Sequence, residues 1–180
     1  MALVALDRDG VINFDSSDYI KSASEWQPIP GSIEAIKLLC DKGYQVYVAT
    51  NQAGLARGLF TPKDLEAMHA KLHKLVNEAG GRVAGIMFCP HHPDENCDCR
   101  KPKPGLLKQI EQHSGESMFD QSFVGDSMKD IQAAQAIGAK PVLVLTGNGT
   151  KTKQQLAETD ENVETYPRLL DFAKAARPLD

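Results

Sequence analysis

Short, wholly apolar runs alternate along this chain with longer stretches whose apolar residues recur at helical spacing. Residues 2–6 are uninterrupted by a polar side chain, which predicts a short buried strand. Over residues 31–39 the apolar positions Ile33, Ile36 and Leu39, continued by Cys40, fall on one helical face, with Ser32 as the expected N-cap. A second strand is expected at 46–49. Thr61-Pro62 then reads as a helix start: the hydroxyl caps, and proline costs nothing in a first turn whose N–H groups have no partner. That helix is expected to run to about Glu78 on a stripe of Leu65, Met68, Leu72, Leu75 and Val76. Further strands are predicted at 85–88, 122–124 and 142–145, with a short sixth at 162–165. Helices are predicted from Pro104 to about 113–115, through Ile131, Ala134 and Ile137 to Gly138, and after Pro167. The tail, 174–180, is expected to fray.

Apolar strands alternating with amphipathic helices predict a three-layer αβα sandwich around a central, mainly parallel sheet. No repeat, low-complexity tract or linker divides residues 1–180, so a single domain is expected. Such sheets bind ligands at the carboxyl ends of their strands, and Asp7, Thr50, Cys89 and Asp126 each fall at or just past a predicted strand end. Composition narrows the function classes. The net charge of -4, with no dense run of Lys and Arg, argues against a nucleic-acid surface. The N-terminal apolar stretch lacks a basic flank and is cut at Asp7, and no run is long enough to span a membrane. A cytoplasmic monomer acting on a small molecule is the resulting expectation.

The strand ends carry the chemistry. In Asp7-Arg8-Asp9-Gly10, residues two apart on extended backbone point the same way, so Asp7 and Asp9 face one site while Arg8 turns aside. Adjacent carboxylates repel, and a divalent cation relieves that repulsion; hard oxygen ligands suit Mg²⁺. Gly10 allows a sharp bend. Thr50-Asn51-Gln52 offers a hydroxyl and backbone N–H groups suited to phosphate oxygens. Arg100-Lys101 offers cationic groups able to neutralise charge developing in phosphoryl transfer. Asp126 supplies another carboxylate, and Asp130, one turn on, is placed to orient Lys101 or a metal-bound water. Each motif alone has a plain alternative: a polar turn, an ordinary strand end, a solvated basic pair, or a helix N-cap at Asp126 or Ser127.

Together, in this order and each at a strand end, the four motifs resemble the haloacid dehalogenase superfamily over Asp7 to Asp130. The resemblance implies that Asp7 attacks phosphorus to form an aspartyl-phosphate and that Asp9 is the general acid and then the general base. It further implies that Thr50 and Lys101 hold the phosphoryl oxygens, and that Asp7, the Asp9 backbone carbonyl and Asp126 bind Mg²⁺. Covalent catalysis divides a hard hydrolysis into two easier steps.

Between the third strand and Lys103 lies a loop, residues 89–103, with no evident secondary structure. Cys89, His91, Cys97 and Cys99 fall within eleven residues of it, a closed set of three thiolates and one imidazole that suits structural Zn²⁺. Free thiols or a redox pair are the alternative. His91 has the better ligand spacing, leaving His92 to line the substrate site. His69 and His73, one turn apart, read as solvated helix residues, and Cys40 as a small buried hydrophobe. The zinc loop runs directly into Arg100-Lys101. Its CPHHP and CDCRKPKPG segments, after DRDGVIN and TNQAGLARG, resemble the D-glycero-D-manno-heptose-1,7-bisphosphate 7-phosphatases over almost the whole chain.

That resemblance implies hydrolysis of the C7 phosphate of a heptose bisphosphate without a large cap domain. Asn51, Gln52, Arg57 and Arg100 are then the expected substrate contacts, the arginines because their fork matches phosphate. The anomer stays open, and with it the choice between ADP-heptose for lipopolysaccharide, the preferred reading, and GDP-heptose. The turn at 15–19 departs from the family's commoner pattern by one extra residue, which leaves its sugar contacts open. Three rivals remain. A histidinol-phosphate phosphatase shares scaffold and zinc loop. A phospho-acceptor signalling module is disfavoured because Cys89 stands where its acceptor would be. A nucleic-acid end-processing module is disfavoured by charge and by the lack of stacking aromatics.

Overall fold

The computed structural model describes residues 1–179. Along the chain come β1 (Leu3–Leu6), α1 (Ser32–Asp41), β2 (Gln45–Asn51), α2 (Pro62–Glu78), β3 (Val83–Cys89) and a 3₁₀ turn (Pro93–Glu95). They are followed by α3 (Gly105–Ser114), β4 (Ser122–Gly125), α4 (Met128–Ala136), β5 (Lys140–Val144), α5 (Gly149–Ala157), β6 (Glu164–Tyr166) and α6 (Leu169–Ala175). The six strands form one sheet in the order β3-β2-β1-β4-β5-β6, and every pairing is parallel. Helices cover both faces. Alternate residues of β1 and β2 serve the two layers, as the two-residue period of a strand requires. Val4, Leu6, Val46 and Val48 pack with α1, α2 and α6, whereas Leu3, Ala5, Tyr47 and Ala49 pack with α3 and α4. Among the described residues no separate cap covers the sheet edge, and no helix is long and apolar enough to cross a membrane.

Thr61 caps α2 as expected, its hydroxyl accepting from Asp64 N at 3.2 Å while Asp64 Oδ2 accepts from Thr61 N at 2.8 Å. Elsewhere the structure departs from expectation. Ser32 is the first helical residue of α1 rather than its cap. Gly31 takes the cap position at φ 87°, and Ser32 Oγ donates instead to Ile12 O at 2.6 Å, tying α1 to the turn after β1. Cys40 is only partly buried and its thiol donates to Arg82 O at 3.2 Å. The tail does not fray before Leu179: Lys42 Nζ donates to the carbonyls of Ala173, Lys174 and Ala176, and Leu179 N donates to Lys42 O at 2.9 Å. Asp180 lies outside the described residues. Helix α5 has no counterpart in the sequence pattern, because its inward positions are Gly149, Thr152 and Leu156, with a single large apolar residue among them.

Candidate active site

Strand β1 lies at the centre of the sheet, where the connections change direction, between β2 on one side and β4 on the other. Open parallel sheets form their ligand crevice at this point. The ladder between β1 and β4 continues one residue past β1, with Asp7 N donating to Val124 O at 2.9 Å, so the backbone of Asp7 is set by the sheet itself. The chain then turns tightly. Ile12 N reaches back to Arg8 O at 2.9 Å, and Gly10 sits at φ 84°, where a Cβ would also collide with Asp126 Oδ2. Glycine is therefore required twice over, for conformation and for the close approach of the two loops.

Asp7 is buried, and its Oδ1 accepts from Arg8 N at 2.7 Å and pairs with Lys101 Nζ at 2.9 Å. Lys101, 3% exposed, also donates to Asp130 Oδ1 at 2.7 Å and Ala49 O at 2.9 Å, which uses all three of its protons. Asp130 Oδ2 accepts from Asp126 N, Ser127 N and Ser127 Oγ at 3.0–3.1 Å. Asp130 is thereby saturated and holds Lys101 Nζ. Asp126 Oδ2 accepts from Asn148 N at 2.8 Å, and its carbonyl accepts from Thr152 Oγ1 at 2.7 Å. Among the described residues, Asp7 Oδ2 and Asp126 Oδ1 are left without a protein donor.

One oxygen each from Asp7, Asp126 and Asp130 lies within 4.8 Å of the others, against a single ammonium. Burial, and then the charge of Asp130, holds the Asp7 carboxyl well above the usual range despite Lys101. The same two causes push Asp126 up to about 7. Burial alone would lower Lys101, but the carboxylates of Asp130 and Asp7 outweigh it and raise its pKa. Excess buried negative charge with free carboxylate oxygens is the donor set of a hard divalent cation.

Asp9 lines the same cavity as Asp7. Its Oδ1 accepts from Arg8 Nε at 2.9 Å and Asn13 Nδ2 at 2.8 Å, and its Oδ2 from Gln52 Nε2 at 3.1 Å. Gln52 Nε2 also donates to Thr50 Oγ1 at 2.9 Å, so this amide links the strand ends of β1 and β2. Asn51 uses both ends of its amide on the backbone of Lys101, accepting from its N at 3.0 Å and donating to its O at 3.1 Å. The open cavity, about 570 Å³, is lined by these residues together with Arg100, Asp126 and Asp130. Arg100 Nη1 is buried without a partner. Arg57 lies exposed in the loop after β2 and is not part of the lining.

The loop after β3 gathers its four donors. Cys89 Sγ lies 2.9 Å from Cys99 Sγ and 3.5 Å from Cys97 Sγ, and His91 Nδ1 lies 3.2 Å from Cys99 Sγ and 3.5 Å from Cys89 Sγ. Tetrahedral Zn–S bonds of about 2.3 Å put thiolates roughly 3.7 Å apart, and a disulfide would need about 2.05 Å. The four donors therefore form a slightly contracted zinc-type cage. Burial alone would raise Cys97, but hydrogen bonds led by the Arg100 backbone N–H lower it to about 7, whereas burial raises Cys89 and Cys99, so without a cation the cluster keeps most of its thiol protons.

Two histidines depart from expectation. His92 does not line the cavity; its Nδ1 accepts from Asp94 N at 3.1 Å and caps the 3₁₀ turn. His69 is only partly exposed; it packs beside the buried Arg8 and tilts against Phe88 with ring centroids 6.1 Å apart. The residues sequence reasoning missed are Asn148 and Thr152, which hold Asp126, and Lys129, Lys151 and Gln155 on the cavity wall. Four of the five sit on the unpredicted α5 or at its cap. Arg8 turns from the cavity as expected, and it does so into the protein interior.

The HAD-hydrolase-like family model matches residues 98–171. A D-glycero-beta-D-manno-heptose-1,7-bisphosphate 7-phosphatase of Neisseria meningitidis is 49% identical over 97% of this chain and 94% of its own length. One from Pseudomonas aeruginosa is 58% identical over 84% and 85%. The crystal structure of D,D-heptose 1,7-bisphosphate phosphatase from B. bronchiseptica, complexed with magnesium and phosphate, superposes with a TM-score of 0.91 at 44% identity, covering 97% of both chains.

Proposed function

The chain belongs to the heptose-1,7-bisphosphate 7-phosphatase family of HAD-like hydrolases, and we propose that it removes the C7 phosphate of D-glycero-β-D-manno-heptose 1,7-bisphosphate, leaving the 1-phosphate. One observation carries the chemistry. Asp7 is buried with Oδ1 pinned by Lys101 Nζ at 2.9 Å and Arg8 N at 2.7 Å, while Oδ2 stays free beside Asp9 in the cavity. A carboxylate held in this way is a positioned nucleophile.

Asp7 Oδ2 attacks the C7 phosphorus and the bond to the sugar oxygen breaks. Asp9 Oδ2 gives its proton to that oxygen as it leaves. In the second half-reaction Asp9 takes a proton from water, the water oxygen bonds to phosphorus, and the bond to Asp7 breaks, returning both aspartates to their starting state. Thr50 Oγ1 holds a phosphoryl oxygen, and the Lys101 ammonium, fixed by Asp7, Asp130 and Ala49, neutralises the charge of the phosphoryl group. Asp7, Asp126 and the Asp9 backbone carbonyl would hold Mg²⁺, which when bound supplies further charge neutralisation. Asn148 and Thr152 keep Asp126 in place for that role. Cys89, His91, Cys97 and Cys99 would hold structural Zn²⁺, and the ordered loop delivers Arg100 and Lys101 to the cavity.

The second phosphate has its own cationic wall. Arg100 carries a buried, unpartnered Nη1, and Lys129 and Lys151 line the same cavity. Burial, then the neighbouring charges of Arg100 and Lys101, lowers the pKa of Lys129, and a bound anion relieves that crowding. The reading includes a monomeric, cytoplasmic enzyme. Phosphate release should be followed on both anomers of heptose 1,7-bisphosphate, on histidinol phosphate and on fructose 1,6-bisphosphate, with ³¹P NMR of the product. The β anomer should give the highest kcat/KM and keep its C1 phosphorus. Faster turnover of histidinol phosphate would overturn the substrate assignment.

A further inference from the structure

After Trp26, Arg8 is the largest fully buried side chain of the protein, with 0% exposure. A guanidinium is costly to bury unless it is paired and hydrogen-bonded, so its partners matter. Arg8 Nε donates to Asp9 Oδ1 at 2.9 Å, and Nη2 lies 2.9 Å from the same oxygen. An arginine facing a carboxylate commonly makes two parallel bonds, one to each oxygen. Here only Nε hydrogen-bonds, and it does so to Oδ1; Nη2 stands at ion-pair distance from the same oxygen without a hydrogen bond of its own, and Asn13 Nδ2 is the second donor to Oδ1 at 2.8 Å. The lone pairs of Oδ1 are thereby taken. Oδ2 keeps a single protein donor, Gln52 Nε2 at 3.1 Å, so a proton carried by this carboxyl resides on Oδ2.

The far side of Arg8 is also built. Nη1 lies 3.3 Å from His69 Nε2 and 3.8 Å from Met68 Sδ, both on α2, sixty or so residues away in sequence. Burial, and then the charge of Arg8, lowers the pKa of His69 to about 3. The imidazole is therefore neutral and can offer Nε2 as an acceptor, with its proton on Nδ1. Arg8 does not line the cavity, so it touches no substrate.

We propose that Arg8, braced by His69, is a positioning residue that locks the Asp9 carboxyl with Oδ1 turned inward and Oδ2 presented to the leaving-group oxygen. The inference rests on the acid/base role assigned to Asp9 above. It links a position on α2 to proton transfer at the end of β1 and gives the residue between the two aspartates a function distinct from theirs.

The test is leaving-group dependence, because kcat/KM reports the first half-reaction, in which only a basic leaving group needs a proton. It compares heptose 1,7-bisphosphate, an alkyl ester, with p-nitrophenyl phosphate, whose phenolate departs without one. Asp9→Asn sets the full scale, a loss of roughly 10²–10⁴-fold on the alkyl ester with a far smaller loss on the aryl ester. Arg8→Met should reproduce that selective loss. His69→Leu should do so more weakly, and His69→Gln, which returns an acceptor to Nη1, should restore the alkyl activity. Equal losses on both esters would reduce Arg8 and His69 to scaffold and overturn the inference. If Arg8→Met does not fold, the His69 pair decides alone: unselective loss in His69→Leu, or no rescue in His69→Gln, overturns it. Should Asp9→Asn itself show no leaving-group preference, the assignment of Asp9 falls and the inference with it. A selective Asp9→Asn beside unselective Arg8 and His69 variants removes the inference only.

Discussion

The molecule carries two clusters of metal-type donors, and they are built on opposite principles. The aspartate cluster sits on strand ends. Asp7, Asp126 and Asp130 are all buried; Asp7 is set by the sheet, Asp130 by the first turn of α4 and Asp126, between β4 and α4, by the Asp130 carboxylate, and neighbouring residues hold their oxygens in place. The cysteine cluster sits on a loop. Only Cys89, the last residue of β3, is buried, while His91, Cys97 and Cys99 are partly exposed on the loop, with Cys97 and Cys99 resting against the core on the α3 side. A site that must direct chemistry gains from donors fixed before the ligand arrives. A site whose task is to fold a loop draws its order from the ligand. The join between them is short: Cys99 is two residues from Lys101, and Asn51 clasps the Lys101 backbone from β2.

Removing the nucleophile is the sharpest way to separate the two clusters. Asp7→Asn should abolish phosphate release while elemental analysis still finds about one zinc per chain, the complement of a single closed four-ligand site. Loss of zinc in that variant would mean that the clusters are not independent. The converse change, Cys97→Ser, should release zinc and loosen the loop. Displacing Lys101 in this way should lower kcat by roughly 10²-fold, the scale of a misplacement of about 1 Å, with limited proteolysis cutting between β3 and α3. Full activity without zinc would show that the loop folds unaided.

The aspartate cluster also has a pH signature. Asp126 is raised from 3.8 to about 7 in the folded protein, so the native state holds a proton that the unfolded chain has released across this window. Stability of magnesium-free protein should therefore fall as pH rises from about 4 to 7. Added Mg²⁺, which favours the ionised carboxylate, should flatten the decline. Thermal unfolding in buffers with and without the cation measures both, and a magnesium-free midpoint that rises through this window would contradict the charge crowding described here. The smallest effect is expected at Arg57. It lies outside the cavity lining, and Arg57→Ala should leave kcat/KM within roughly twofold, the usual range for an exposed substitution. A large rise in KM would place the loop after β2 over the substrate.

The alternation of apolar runs and helical stripes located all six strands to within a few residues; the inner strands β2, β1, β4 and β5 are buried on both faces and leave a local apolar mark, whereas the edge strands β3 and β6 are only partly buried. Helix α2 was legible to its cap because Thr61-Pro62 and the stripe behind it are local too. Helix α5 was not, since Gly149, Thr152 and Leu156 carry no apolar period and are made inward by what lies beneath them. The zinc-type donors could be read from spacing alone, as all four fall in one short segment. Asn148 and Thr152 could not, because nothing near residues 148–152 indicates that Asp126 lies against them.

What the chain determined by itself is the identity of the reacting groups and their placement at strand ends: polar residues that follow an apolar run emerge where the run ends. What only the tertiary structure decided is the state of those groups. The free oxygen of Asp7, the burial of Arg8 between Asp9 and His69, the bond from Lys101 to Asp130, and the support of Asp126 by α5 each depend on residues brought together from distant parts of the chain. Hydrogen bonds and charge–charge interactions act over a few ångströms of space whatever the separation in sequence, so the packing of the layers sets them and no local pattern records them.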